Sequence, residues 1–257
     1  MAARWQPDQY LKFGGERTRP VLDLLHRVVL ANPRRIADLG CGPGNSTEAL
    51  RLKWPDSTII GLDSSPEMIE RARQSFPADA WVVGDAARWQ PEEPFDLVFS
   101  NAMLQWVPDH ERVCPHLFDQ VAPGGALAVQ VPAHYDSVLH REIIALSRDP
   151  RWDRRMESAR RSLTNHPPEF YYDLFASRAG RVDLWETIYH HVLAGPEAVL
   201  EWFRGTGLRP YLQALTSAEE RRSFEEALLA RYEDSYSRRQ GGPILFPFRR
   251  LFFVVYR

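Results

Sequence analysis

Between residues 36 and 45 the sequence reads IADLGCGPGN, with Gly40, Gly42 and Gly44 crowded into five positions directly after an apolar run. Glycine allows a backbone to turn tightly and to approach a ligand where a side chain would intervene. Asp38 precedes the first of the three, Asp63 closes the segment STIIGLD, and Asp85 closes AWVVGD. Each acid ends an apolar, β-branched run, the place where a strand gives way to a loop. A carboxylate roughly 20 residues beyond such a turn is placed to accept both hydroxyls of a ribose. Asp85 suits the exocyclic amine of a purine, and Asp38 suits a cationic group such as an α-amine while repelling phosphate. Together they outline a pocket for a nucleoside that carries an amino-acid tail and no phosphate.

The spacing argues against two commoner nucleotide sites. A dinucleotide turn follows G-x-G-x-x-G, whereas here the third glycine comes one residue early and Asn45 stands in its place. No Gly-Lys-Ser/Thr follows, so the loop is not a Walker phosphate cradle. Cys41 lies within the turn without a neighbouring base or partner cysteine, which speaks against nucleophilic catalysis.

The elements that must position these residues follow from apolar periodicity. Short runs at RIADLG, STIIGLD, AWVVGD, FDLVFSN and ALAVQVP alternate with helical stretches, the pattern of a parallel sheet covered on both faces. Ser65 is placed to cap a helix, with Pro66 at its first position and Met68, Ile69 and Ala72 on its apolar face. Asn45 and Glu48 have the spacing of a capping pair, and Pro55 stops that helix. Pro115 is expected to kink the helix before APGG or to delay its start. From about residue 133 helical stretches rich in arginine and aromatics run to about residue 178. VDLWETIYHHVL then reads as a strand, PEAVLEWFRGTG as a helix ended by glycine, TSAEERRSFEEALLARYEDSY as an amphipathic helix, and FRRLFFVVYR as a last strand. The two late strands are expected to pair as an antiparallel extension of the sheet. His190 and His191, on the first of them, point to opposite faces. The expected organisation is one α/β domain over residues 1–257 with a doubly wound, mostly parallel seven-stranded sheet. Its core spans about 20–132 plus 182–193 and 244–257, and a helical cap takes about 133–180 and 196–240.

Hydrophobic residues make up 44% and charged residues 26% of the 257, the balance of an ordinary globular protein. A net charge of −2 speaks against nucleic acid as a partner, since duplex binders carry a basic excess. Two scattered cysteines, Cys41 and Cys114, provide neither a disulfide framework nor a zinc site. The first residues lack the apolar segment of a secretory signal, and no run approaches the ~18 apolar residues of a membrane span. The expectation is a cytoplasmic protein with no metal, no membrane association and no required protein partner.

The motifs DLGCGPG, GLDSSPEMI, GDAARW and FDLVFSNAMLQWV, in that order, resemble those of the class I S-adenosylmethionine-dependent methyltransferases, a Rossmann-like family, over roughly residues 30–132. The resemblance implies S-adenosylmethionine as cofactor and S-adenosylhomocysteine as product. It implies that Asp38, Gly40, Gly42 and nearby backbone hold the methionine part, that Asp63 with Ser64 holds the ribose, and that Asp85 holds the adenine. Ala86 and Asn101 would line the pocket, and Arg17 would take the cofactor carboxylate. Outside these motifs, YLKFGGERTRP, NAMLQWVPDH, AVQVP, EFYYDLF, TGLRPYLQALT and FRRLFFVVYR extend the resemblance over essentially the full length to small-molecule carboxyl methyltransferases. The acceptor implied is trans-aconitate or a similar small polycarboxylate. Two departures from the usual pattern, Arg249 before Arg250 and the pair His190–His191 after Tyr189, bear on acceptor choice rather than on class.

The chemistry this implies needs little from the protein beyond positioning. Methyl transfer from a sulfonium is an in-line displacement, and a carboxylate with a pKa of about 4 is already ionised at neutral pH. No general base is expected. The harder task is to hold a polyanion near several acids, for which the guanidinium fork is suited. Arg17 and Arg19 near the N-terminus, Arg209 in GLRPYL and Arg250 at the last strand are the candidates. Arg209 and Arg250 are the first choices, with Tyr10, Tyr172, Gln105 and Trp106 as further acceptor contacts. A carrier-bound or fatty carboxylate is the alternative acceptor, and a non-catalytic cofactor-binding module the alternative outside enzymes.

Overall fold

A computed structural model of the chain describes residues 14–77, 80–133 and 137–257, with side chains in the first helix from Thr18 onward. Tyr10 lies outside the described residues, and Arg17 is placed by its backbone alone.

Seven strands form one sheet: β1 (Arg35–Leu39), β2 (Thr58–Asp63), β3 (Ala80–Val83), β4 (Phe95–Asn101), β5 (Val121–Pro132), β6 (Arg181–Leu193) and β7 (Ile244–Tyr256), ordered 3-2-1-4-5-7-6. The first five are parallel; Ala37 pairs with Ile60 on one side and Val98 on the other, and Val98 with Leu127. Ile36, Ala37, Leu39, Leu97, Val98, Phe99 and Leu127 have no exposed surface. Strands covered on both faces must be apolar on both, which is why the runs lack alternation.

The last two strands extend the sheet as the sequence suggests. The Arg257 amide donates to Gly125 and the Gly124 amide to Arg257, whereas Ala133 donates to Arg249. Partner numbers rise on one strand as they fall on the other, so β7 runs antiparallel to β5. Gly180 donates to Tyr256 in the same sense on the far side. β5 begins at Val121, earlier than the apolar segment ALAVQVP implies, because its register jumps from Phe95↔Val121 to Leu97↔Ala126. An irregularity of this kind admits polar, glycine-rich backbone into a strand that periodicity would end.

Helix α1 (Gly14–Arg27) precedes the sheet, and α2 (Asn45–Lys53), α3 (Pro66–Ser75) and α4 (His110–Asp119) cross between its parallel strands. The α3 reading holds: Ser65 Oγ accepts the Met68 amide, Pro66 opens the helix, and Met68, Ile69 and Ala72 are buried. The α2 reading needs correction. Asn45 is its first residue, not its cap; Gly44, at φ 101°, holds the cap position without a side chain, and its carbonyl accepts the Glu48 amide. Pro115 neither delays nor breaks α4, which starts at His110 after Asp109 in the left-handed region. The missing N–H of Pro115 forfeits a single helical bond.

The chain divides into two compact units. One holds the described residues up to Val131 with His166–Glu186 and Leu251–Arg257; it includes α7 (Pro168–Phe175). The other, Pro132–Asn165 and Thr187–Arg250, contains α5 (Val138–Ser147), α6 (Asp153–Arg160), α8 (Pro196–Arg204), α9 (Arg209–Gln213) and α10 (Ala218–Ser235). In its core Tyr211 stacks on Phe224 and Trp152 meets the same ring edge to face, and the Tyr232 hydroxyl donates to the Leu139 carbonyl. A capping box between Ser217 and Glu220 starts α10. No helix of the described residues is long and apolar enough to cross a membrane.

Candidate active site

Strand order reverses between β1 and β4, so the loops leaving the carboxyl ends of these strands diverge and open a crevice. Leu39 lies in register with Leu62 and Ser100, and Asp63 with Val83. The predicted residues Asp38, Gly40, Gly42, Asp63, Ser64, Asp85, Ala86, Asn101 and Gln105 all belong to this end of the sheet in the first unit.

The glycine turn is held by its neighbour strand: the amides of Gly40 and Cys41 both donate to the Leu62 carbonyl, at 2.7 and 3.1 Å. Gly40 and Gly42 have φ of 71° and 56°. A Cβ on Gly40 would lie 2.3 Å from Met103, so this glycine marks a close approach of the turn to the loop leaving β4. A Cβ on Gly42 would meet nothing within 4 Å, so its surroundings are open.

Asp63 Oδ2 accepts the Gly42 amide at 2.9 Å and Oδ1 accepts the Ser65 amide at 2.8 Å. Burial pushes its pKa up, against the lowering effect of the amides of Ser65, Gly42 and Ser64. Ser64 is exposed beside it.

Asp38 is fully buried. Its Oδ2 accepts the hydroxyls of Ser46 (2.7 Å) and Thr47 (2.6 Å) from the first turn of α2. Its Oδ1 has no partner among the described residues. Burial raises this carboxyl to about 6, opposed by the two hydroxyls and assisted by nearby Asp63. Sequence reasoning missed Ser46 and Thr47, for which the only signal was a pair of hydroxyl residues, NST, directly after the glycine turn. The Cys41 thiol is buried and its pKa driven up, by burial first and then by Asp38 and Asp63. It is therefore a neutral packing group.

Asp85 is exposed; its Oδ1 accepts the Ala87 amide at 2.9 Å and its carboxylate lies 3.8 Å from Arg88. Ala86 is buried beside it.

At the end of β4, Ser100 Oγ, Asn101 Oδ1 and Gln105 Oε1 are buried without a partner among the described residues. Gln105 Nε2 donates to the Ala102 carbonyl at 2.6 Å. Ala102 adopts φ 57°, a left-handed conformation costly for a residue with a Cβ. Trp106 is half-buried in the short 3-10 turn Leu104–Trp106. No sequence feature announces the strain at Ala102.

The remaining acceptor candidates stand elsewhere. Tyr172 lies on α7 of the first unit, about half exposed. Arg209 opens α9 and Arg250 lies on β7, both in the second unit. Burial lowers Arg209 to about 10. Arg250 is buried, with its guanidinium 4.6 Å over the Phe248 ring and 6.0 Å over Tyr189.

This end of the sheet thus provides orphaned oxygens on Asp38, Ser100, Asn101 and Gln105, an open glycine turn, and the Asp63 and Asp85 carboxylates. That set fits a nucleoside with a cationic amino-acid tail, whose N–H and hydroxyl donors complement carboxylates. Among the described residues no group of three or more His, Cys, Asp or Glu is arranged to hold a metal.

The sheet order with a reversed seventh strand, and a glycine turn at the end of β1, define a Rossmann-like class I methyltransferase fold. Residues 36–125 match the family described as a methyltransferase domain. Among solved structures, the Haemonchus contortus phosphoethanolamine N-methyltransferase 2 in complex with S-adenosyl-L-methionine aligns with a TM-score of 0.62 at 15% identity, over 97% of this chain and 56% of that one. The YcgJ protein from Bacillus subtilis aligns with a TM-score of 0.59 at 16% identity, over 93% and 98%. At such identities the likeness speaks for the fold. Curated relatives are far nearer in sequence: the trans-aconitate 2-methyltransferase of Azoarcus sp. (strain BH72) is 44% identical over 98% of this chain and 99% of its own. That of Methylobacterium nodulans is 46% identical over 99% of both. The chain belongs to the trans-aconitate 2-methyltransferase family.

Proposed function

We propose that the protein transfers the methyl group of S-adenosylmethionine to a carboxylate oxygen of trans-aconitate or a closely similar small polycarboxylate, giving a monomethyl ester and S-adenosylhomocysteine. The observation that carries this reading is the 40–46% identity, over nearly the whole length, to relatives named for that reaction. When bound, the cofactor supplies an electrophilic methyl on a sulfonium; the residues of this chain supply binding and alignment.

Asp38 Oδ1 is the proposed partner of the cofactor's α-amine, with Gly40 and Gly42 leaving the backbone open to the methionine part and Arg17 taking its carboxylate. Asp63, beside Ser64, accepts from the ribose, and Asp85 from the adenine amine, while Ala86 and Asn101 border the base and the methionine. Arg209 and Arg250 are the proposed partners of the acceptor carboxylates, assisted by Tyr10, Tyr172, Gln105 and Trp106. Burial depresses Arg209, and an anionic ligand reverses a shift of that origin. The acceptor is ionised at neutral pH, so no residue is assigned as a base. The protein is assigned to the cytoplasm, in keeping with two buried free cysteines.

The test is a methyl-transfer assay with methyl-labelled cofactor against trans-aconitate, cis-aconitate, citrate, isocitrate and a fatty acid, counting base-labile ester. Preference for trans-aconitate supports the reading. Ester from the fatty acid alone, or none from any acid while the cofactor still binds, overturns it.

A further inference from the structure

We infer that the buried Tyr171–His110 pair is a positioning device for the loop that leaves β4: the Tyr171 hydroxyl donates to His110 Nδ1, which keeps the ring proton on Nε2, bonded to the Leu104 carbonyl, and so sets Asn101–Trp106 for methyl transfer.

Both side chains lack exposed surface. His110 Nδ1 lies 2.9 Å from the Tyr171 hydroxyl, and Nε2 lies 2.9 Å from the Leu104 carbonyl. A carbonyl only accepts, so Nε2 must carry a proton; a neutral imidazole has a single one, so Nδ1 must accept and the phenol must donate. Burial lowers the His110 pKa, in keeping with a neutral ring. The packing leaves the pair little freedom: Tyr171 stacks on Phe253 with centroids 4.8 Å apart, and His166, itself stacked on Phe170, lies 5.2 Å from the His110 ring.

The device acts on a loop that needs outside support. The Leu104 carbonyl accepts the Val107 amide at 2.8 Å as well as the imidazole, which closes the 3-10 turn carrying Gln105 and Trp106. Two residues before Leu104, Ala102 holds φ 57°, and strained backbone persists only where its surroundings over-determine it. Between them Met103 is the residue against which Gly40 packs. The imidazole thus fixes the turn that follows the strained residue, between the glycine turn and the orphaned acceptors of Asn101 and Gln105. His110 and Tyr171 touch no substrate in this scheme. They act through the loop, and the kinetic part of the inference rests on the methyl-transfer reading above.

Tyr171→Phe removes the hydroxyl and keeps the stack on Phe253. Nitrogen-15 shifts of labelled imidazoles in the wild-type chain should show His110 as the Nε2–H tautomer; finding Nδ1–H overturns the inference without any variant. In Tyr171→Phe the tautomers should mix, and amide exchange at Trp106 and Val107 should quicken. kcat for ester formation should fall by roughly tenfold or more, within the ~100-fold that a 1 Å misplacement of a reacting group can cost. Phe175→Leu, in the same aromatic cluster, is the control: it should lower Tm while leaving kcat and exchange at Trp106 and Val107 as in the wild type. A Tyr171→Phe protein with unchanged exchange, or with unchanged kcat, overturns the positioning role. Absence of ester from the wild-type chain, with tautomer and exchange as expected, overturns the acceptor assignment alone and leaves the loop device standing.

Discussion

Asp63 accepts the Gly42 amide with one carboxylate oxygen and the Ser65 amide with the other, at 2.9 and 2.8 Å, so a single side chain ties the glycine turn to the start of α3. Asp63→Asn presents an NH2 group to one of those two N–H donors. Leaving such a donor unsatisfied costs about 1–3 kcal/mol, which urea denaturation should register as a lower midpoint. If the same carboxylate also takes the ribose hydroxyls, calorimetric titration should show affinity for S-adenosylmethionine reduced by roughly tenfold or more. Lost stability with unchanged affinity would make Asp63 a purely structural tie.

Gly40→Ala should be poorly tolerated for two separable reasons. The new methyl lies 2.3 Å from Met103, and φ is 71°. The left-handed conformation alone costs roughly 1–2 kcal/mol. Gly40→Ala combined with Met103→Gly, which removes both the Cβ and the Cγ that the new methyl would meet at 2.3 Å, should relieve the clash and keep that residual cost, so the double variant should melt above the sum of the single effects. Strict additivity in thermal denaturation would refute the contact as the cause.

Asp38 leads to a pH dependence. Burial moves its pKa from 3.8 to about 6, so between these values the folded chain holds a proton that the unfolded chain has released. This group's favourable contribution is complete below 3.8 and is lost as pH rises through 6, a change of roughly 3 kcal/mol. Buried His110 and half-buried His140, whose pKa values burial lowers, act oppositely: the fold disfavours their charged form, and stability falls as pH drops below the ordinary histidine value of 6.5. The difference between wild type and Asp38→Asn isolates the carboxyl. A cationic ligand group at Oδ1 favours the carboxylate and expels the proton. Affinity for S-adenosylmethionine should therefore rise about tenfold per pH unit below 6, then level, and Asp38→Asn should show no such slope. An equal slope in both proteins would remove Asp38 from the amine site.

Those acids were legible because each ends an apolar run, and a strand end in a parallel sheet is where ligands sit. The same logic placed β1, β4 and the apolar part of β5, since runs apolar on both faces have few other homes. It failed where local chemistry depends on a partner far along the chain. Asn45 has the spacing of a cap, yet Gly44 takes that place in a left-handed conformation that periodicity cannot report. Nothing local marks Ala102 as strained. Tyr171 and Tyr172 are indistinguishable as letters, and only the fold buries the first on His110 and leaves the second exposed.

Arg250 gives the sharpest test of the acceptor assignment. Its guanidinium lies 4.6 Å over Phe248, and the residue is only 4% exposed. A planar cation on a ring face keeps its edge available to a carboxylate in paired hydrogen bonds, which a lysine ammonium cannot match. Arg250→Lys keeps the charge and loses the fork. KM for trans-aconitate should rise by roughly tenfold, the worth of about 1.4 kcal/mol, while affinity for S-adenosylmethionine stays at the wild-type value. Arg209→Lys should behave similarly if both arginines hold carboxylates. Should Arg250→Lys instead lower Tm with KM unchanged, the guanidinium serves packing on Phe248 alone, and the acceptor carboxylates must find their cations elsewhere.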